Sequence, residues 1–193
     1  MRKTLVGASV SLVLILAVWP GSRTQAQSNV GPEEFDAVAI LNNNLGAGAG
    51  KIFIRILRWS SDAERMHLVN TLLQKGSDAL LEALQESQAV GTIRTPDSLA
   101  YDLRYAHQRP DEDGGRQVVL ATDQPVSFWE ARNQPRISTY PFTVIQMRLG
   151  GDGEGRGTLS YAAKITVEDN VIELENFGTA PVMLSHIEAK PIR

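Results

Sequence analysis

The densest set of chemistry-bearing side chains falls in residues 128–142. Trp129, Glu130, Arg132, Asn133 and Arg136 crowd into one short stretch, and Tyr140 closes the set. Trp and Tyr offer apolar area with a polar tip, and Arg offers a planar fork matched to a carboxylate or phosphate. Residues 123–136 carry neither a helical nor a strand period, so the stretch reads as an irregular connection. Loops held on a rigid sheet are where binding groups usually sit. The same residues also fit a structural crossover, with Trp129 closing one end of a core and Glu130 pairing with Arg132 or Arg136. As a binding set they suit a sugar, a peptide or an acidic ligand.

Catalytic sets are harder to assemble. Asp102, Glu130, Glu173 and Glu175 are the acids outside obvious turns. Glycoside hydrolysis needs two carboxyls about 5 to 10 Å apart across a cleft, which spacing along a chain cannot supply. His67, His107 and His186 stand far apart, and no pair has metal-ligand spacing. There is no cysteine and no Gly-x-Ser-x-Gly elbow. Residues 46–51 read Gly-Ala-Gly-Ala-Gly-Lys, but Leu45 and Ile52 replace the first glycine and the hydroxyl of a phosphate loop. Residues 150–157 and 111–114 hint at calcium loops. Gly155, Arg116 and Thr122 stand where those loops need an aspartate, a glycine and a glutamate. These stretches read as turns, and no metal or cofactor is expected.

An address precedes the chemistry. Arg2 and Lys3 open the chain, an uncharged apolar run fills residues 5–18, and Thr24-Gln25-Ala26 offers small residues for cleavage. Those are the three parts of a secretory signal, and the apolar run is shorter than the roughly 20 residues of a spanning helix. Residues 1–26 are therefore expected to be a signal peptide, 27–34 a flexible N-terminus and 35–193 one domain. Without cysteine there is neither a disulfide nor a lipid-anchored cysteine. The chain has formal net charge −3, and loss of Arg2, Lys3 and Arg23 makes it more acidic. That balance, with no basic block, argues against nucleic acid as a partner. The expected location is periplasmic or secreted, with no stable membrane insertion after cleavage.

Elements that would position the site follow from periodicity. Residues 35–41 and 51–59 read as strands, joined by a turn-rich link over 42–50. Ser61 and Glu64 form a capping box before a helix with an apolar stripe of Met66, Val69, Leu72 and Leu73. Gly76 ends it, and Ser77 can cap a second helix carrying Leu80, Leu81 and Leu84. Strands are then expected at 90–94, 99–106, 116–122, 139–149, 158–167, 171–177 and 182–187, with turns at 109–115 and 150–157. The fold class is α+β: a mainly antiparallel, meandering sheet of about eight strands, curled into a partial barrel or sandwich, with one helical hairpin near residues 61–88. Asp102, Arg104, Lys164, Glu173 and Glu175 on outward strand positions argue against a lipid-embedded barrel.

The pieces Phe-Trp-Glu-Ala-Arg-Asn-Gln-Pro-Arg at 128–136, Tyr-Pro-Phe-Thr at 140–143 and Leu-Ser-Tyr-Ala-Ala-Lys-Ile-Thr at 159–166 resemble a group of small exported bacterial proteins of unknown function. Arg-Trp-Ser-Ser-Asp-Ala-Glu-Arg at 58–65 fits the same group. The resemblance implies no activity and no site residue. The expected function is a non-catalytic binding or interaction domain of the bacterial envelope, its partner a small ligand or an envelope protein. A carboxylate-dependent hydrolase acting on glycan, or a structural accessory of an envelope complex, are the alternatives.

Overall fold

A computed structural model of the chain describes residues 31–43, 46–111, 113–126, 139–168, 171–176 and 180–192. The signal segment 1–26 lies outside them. The fold is α+β, as expected. Among the described residues ten strands form one antiparallel sheet, with two helices between the second and third.

The strands are β1 (Glu33–Asn43), β2 (Gly46–Ile56), β3 (Gly91–Arg94), β4 (Tyr101–Leu103), β5 (Tyr105–Pro110), β6 (Arg116–Thr122), β7 (Phe142–Leu149), β8 (Glu154–Glu168), β9 (Val171–Asn176) and β10 (Val182–Pro191). Along the sheet they run β4-β3-β2-β1-β10-β8-β7-β6-β5, and β9 pairs only with β8. The two ends of that order meet. β4 and β5 are consecutive in the chain with Arg104 alone between them, and the Arg104 amide donates to the Ala121 carbonyl of β6 at 2.9 Å. The sheet is thus a nearly closed barrel. Closure is the strongest way to remove sheet edges.

Alternation explains the interior. Phe35, Ala37 and Ala39, then Ile52, Ile54 and Ile56, then Val118 and Leu120, then Ile145, Met147 and Leu149 all face one buried core. Glu34, Asp36, Arg55, Glu188 and Lys190 alternate with that set and pair outside it. One mouth of the barrel carries a bidentate pair between opposite walls. Arg116 donates to both Glu33 oxygens at 2.9 Å and to Gln108 at 2.7 Å.

A second core lies outside the barrel. It joins Leu68 and Leu72 of α1 (Asp62–Lys75), Leu80 and Leu84 of α2 (Ser77–Glu86), and Phe142, Val144 and Ala163 from the sheet. A bulge makes this possible. Phe142 pairs with Ala163 but Val144 with Ser160, so the register slips by one between them. Leu159 and Tyr161 face the barrel interior, while Ala163, Ile165 and Val167 face the helices. A one-residue slip moves every following side chain to the other face.

Several expected elements are displaced. The capping box is present, with the Ser61 hydroxyl accepting from Glu64 N at 3.2 Å and the Glu64 carboxylate accepting from Ser61 N at 2.7 Å. The buried stripe of α1 is Leu68 and Leu72, not Met66 and Leu73, which are exposed. Gly76, at φ 85°, serves both helices as cap, and Ser77 makes no side-chain cap to α2. Strand β1 starts at Glu33, inside the stretch 27–34 expected to be flexible. The supposed link 42–50 is mostly strand, with Gly46 to Gly50 pairing with Ala39 to Asn43. The supposed turn 150–157 is half strand too. A Cβ at Gly155 would sit 2.2 Å from the Arg148 carbonyl, so glycine is required by the close approach of β7 and β8 rather than by a turn. The stretch expected as one strand over 139–149 begins at Phe142.

Among the described residues, His186 in β10 is the non-glycine residue with positive φ, at 48°, where the pairing with β1 shifts register. A side chain in this left-handed conformation costs roughly 1–2 kcal/mol, while glycine gives back part of that through unfolded-state entropy. His186→Gly is therefore expected to stabilise the fold by about 0.5–1 kcal/mol, read as a higher urea midpoint at unchanged m-value.

Candidate functional site

A cavity of about 830 Å³ opens between the helical hairpin, the β8–β9 extension and the outer face of β5, β6, β7, β8 and β10. Strand register sets its chemistry in rows. The first row is Tyr105, Ala121 and Val144 on three successive strands. The second is His107, Val119, Gln146, Thr158 and Met183. The third is Arg109, Gln117, Arg148 and Arg156. Leu68, Leu72, Leu80 and Leu84 close the apolar end from the helices, and Ile172 and Leu174 from β9. Arg65 of α1 joins the lining beside Tyr105 and His107. Among the described residues that line the cavity there is no aspartate or glutamate.

The guanidinium row is only partly compensated. Arg109 donates to Gln117 Oε1 at 2.7 and 3.1 Å. Arg148 Nε meets Asp111 Oδ2 at 2.8 Å. Arg148 and Arg156 stand directly opposite each other across the β7–β8 ladder. Like charges at such a pair are destabilising.

At the other side of the cavity, His107 stacks on Tyr105, ring centroids 6.2 Å apart and planes 7° from parallel. Asp62 Oδ1 lies 3.9 Å from His107 Nε2. Burial holds His107 below its ordinary value, and the Arg65 and Arg109 charges push the same way against Asp62. Burial also pushes the Tyr105 hydroxyl up to about 12, with Arg65 opposing it and Asp62 adding to it. The unfolded chain binds a proton on His107 near pH 6.5, while the folded chain resists until lower pH. This contribution to stability is complete above pH 6.5 and is lost as pH falls through the window below it. His107→Gln is expected to flatten the loss of stability in that window, measured as urea unfolding free energy on either side of pH 6.5.

Of the residues expected to bind ligand, Trp129, Glu130, Arg132, Asn133 and Arg136 lie outside the described residues. Tyr140 is described, and it does not line the cavity. It packs on the barrel core, and its hydroxyl donates to Glu175 Oε1 at 2.5 Å. The chain enters the segment 127–138 from a buried anchor. The Val126 amide donates to the Thr143 hydroxyl at 2.8 Å and to the Tyr161 carbonyl at 3.1 Å.

Of the acids considered for hydrolysis, Glu130 lies outside the described residues, and Asp102, Glu173 and Glu175 do not line the cavity. Asp102 lies 3.5 Å from Arg104, and Glu175 takes the Tyr140 hydroxyl. Asp111 and Asp152 organise turns: Asp111 N donates to Gly115 O, and Asp152 accepts from Glu154 N. Glycines 46 to 50 lie in a strand, which is not the geometry of a phosphate loop.

Sequence reasoning missed Arg65 and Arg109, which are far apart in the chain, and Arg148 and Arg156, which flank the glycine-rich residues 149–155. Compared with known proteins, the chain matches no family model, no curated protein and no solved structure.

Proposed function

We propose that this chain is a non-catalytic binding domain exported to the bacterial envelope or beyond it, and that the cavity under the helical hairpin holds its ligand. The observation that carries the reading is an apolar cavity rimmed by arginines, on a chain whose net charge is negative. Its volume falls in the range of roughly 300–1,000 Å³ usual for small-ligand sites. A few polar groups placed around apolar walls fix orientation in such sites. The export and envelope parts of the reading rest on the signal-like residues 1–26 and the cysteine-free composition.

An anionic apolar dye, anilinonaphthalene sulfonate, tests it. The purified chain is expected to bind the dye at one saturable site, read by fluorescence. Replacing both Arg148 and Arg156 by Gln is expected to weaken binding about tenfold, the scale of a lost charge-assisted contact. Arg94→Gln, a change at a side chain stacked on Phe53 away from the cavity, is expected to leave it unchanged. Binding that never saturates, or that ignores the arginine changes, defeats the reading.

A further inference from the structure

We propose that the ligand of this cavity is a single-chain acyl anion, its carboxylate or phosphate head held at Arg148 and Arg156 and its hydrocarbon chain under the helical hairpin. The inference rests on the cavity being the binding site, and goes further by giving it a chemical class and a direction.

Along β6 and β7 polarity changes in one sense, from Ala121 and Val144 to Gln117 and Arg148, while Arg65 stands to one side beside Tyr105 on β5. Same-face residues two apart are separated by about 6.7 Å, so the arginine row lies about 13 Å from the row of Ala121 and Val144. Val144 belongs to the buried second core, and Arg148 is exposed. An occupant spanning those rows must be anionic at one end and aliphatic at the other.

Other occupants fit less well. A peptide adding to a sheet needs an unpaired strand edge. The strands β6, β7, β8 and β10 that floor the cavity are each paired on both sides, and among the described residues a free edge is left only on β5 and β9 at its margins. A sugar needs many hydrogen-bonding partners, whereas the deep wall is formed by Leu72, Leu84 and Ile172. A desolvated hydroxyl or amide left without a partner there costs a few kcal/mol, and a methylene costs nothing.

The arginine row gives the head its place. Asp111 contacts Arg148 through Nε, and Arg156 has no ion pair or hydrogen bond among the described residues. An anion between the two guanidiniums converts an unfavourable like-charge neighbour pair into a shared fork.

The experiment is displacement of the bound dye by octanoate, dodecanoate and hexadecanoate, by alkyl phosphates of the same lengths, and by matched alkyl trimethylammonium cations, all below their micelle concentrations. Affinity is expected to tighten about fourfold per added methylene until the chain fills the cavity. Anions are expected to bind about tenfold more tightly than cations of equal length. In the variant with Gln at both 148 and 156, that preference disappears while the dependence on chain length stays. The carboxylate and phosphate arms show which head the row prefers, and either preference supports the class.

Cations competing as well as anions overturn the head assignment. Acetate or inorganic phosphate competing as well as dodecanoate overturns the acyl chain. Saturable dye binding that no acyl anion displaces removes the ligand class and leaves the binding site standing. Failure of the dye to bind at all removes both.

Discussion

Glu33→Gln is expected to destabilise the protein by about 3 kcal/mol, the lower end of the cost of leaving one partner of a buried ion pair alone. Arg116 and Glu33 are 22% and 13% exposed, so water relieves part of the penalty. The change keeps the shape of the side chain and removes its charge. Arg116 then keeps only neutral acceptors, Gln108 Oε1 and the amide oxygen introduced at position 33, and loses the counter-charge, with its guanidinium 6.0 Å from the Phe35 ring. For a domain of this size the loss corresponds to a fall of about 6–12 °C in Tm. The pair joins β1 to β6, on opposite walls, so its loss is felt by the closed barrel rather than by one hairpin. Replacing both partners, Glu33→Leu with Arg116→Met, is expected to recover most of the stability, because a hydrophobic pair avoids desolvation. If the single change costs under about 1 kcal/mol, the pair behaves as an exposed surface bridge.

Much of this barrel was legible because its code is local. The alternation of Ile52, Ile54 and Ile56 and the Ser61–Glu64 capping box need no distant partner to be read. The failures share a physical cause: they depend on what lies across the ladder. Gly46 to Gly50 look like a link because glycine weakens a strand, yet β1 supplies hydrogen-bond partners along its whole length. Gly155 looks like a turn residue, yet it is small because a carbonyl of β7 sits where its Cβ would be. Arg104 looks like one more outward residue in an alternating strand. It breaks that strand, so that Leu103 and Ala106, three apart, both face the core. The clean alternation from Leu159 to Val167 hid a bulge, because a bulge leaves no mark in the residue types.

The site was less legible than the fold. Sequence reasoning favours clusters that are close along the chain, and therefore favours residues 128–136. The arginine row comes from three strands, two of them joined by pairing that only the register fixes. Arg109 was read as a turn, and Arg148 and Arg156 as strand-end and turn residues. One signal was available. Arg148 and Arg156 flank a short glycine-rich connection at nearly equal distance from its centre, which places them opposite each other in a tight hairpin. His107 directly follows the strand expected over 99–106. Its place beside Arg65 and Asp62 depends on how α1 packs on β5, which the helix's own weak apolar stripe does not announce.

Phe142→Ala is expected to cost about 3–5 kcal/mol and to abolish dye binding in the same protein. Phe142 is fully buried and lies where the β7–β8 register slips. It shares the second core with Leu68, Leu72, Leu80 and Leu84, so the cavity left behind falls under the helical hairpin rather than inside the barrel. The barrel core is a separate cluster built on Phe35, Ile54 and Leu120. Damage should therefore be unequal. Amide hydrogen exchange is expected to show α1 and α2 losing protection first, while β1 and β2 keep theirs, as in a unit that opens below the global free energy. Binding depends on the helices because they supply the apolar wall opposite the strands. Uniform loss of protection would mean that the two clusters open as one unit, and intact dye binding would mean that the hairpin does not form the wall of the site.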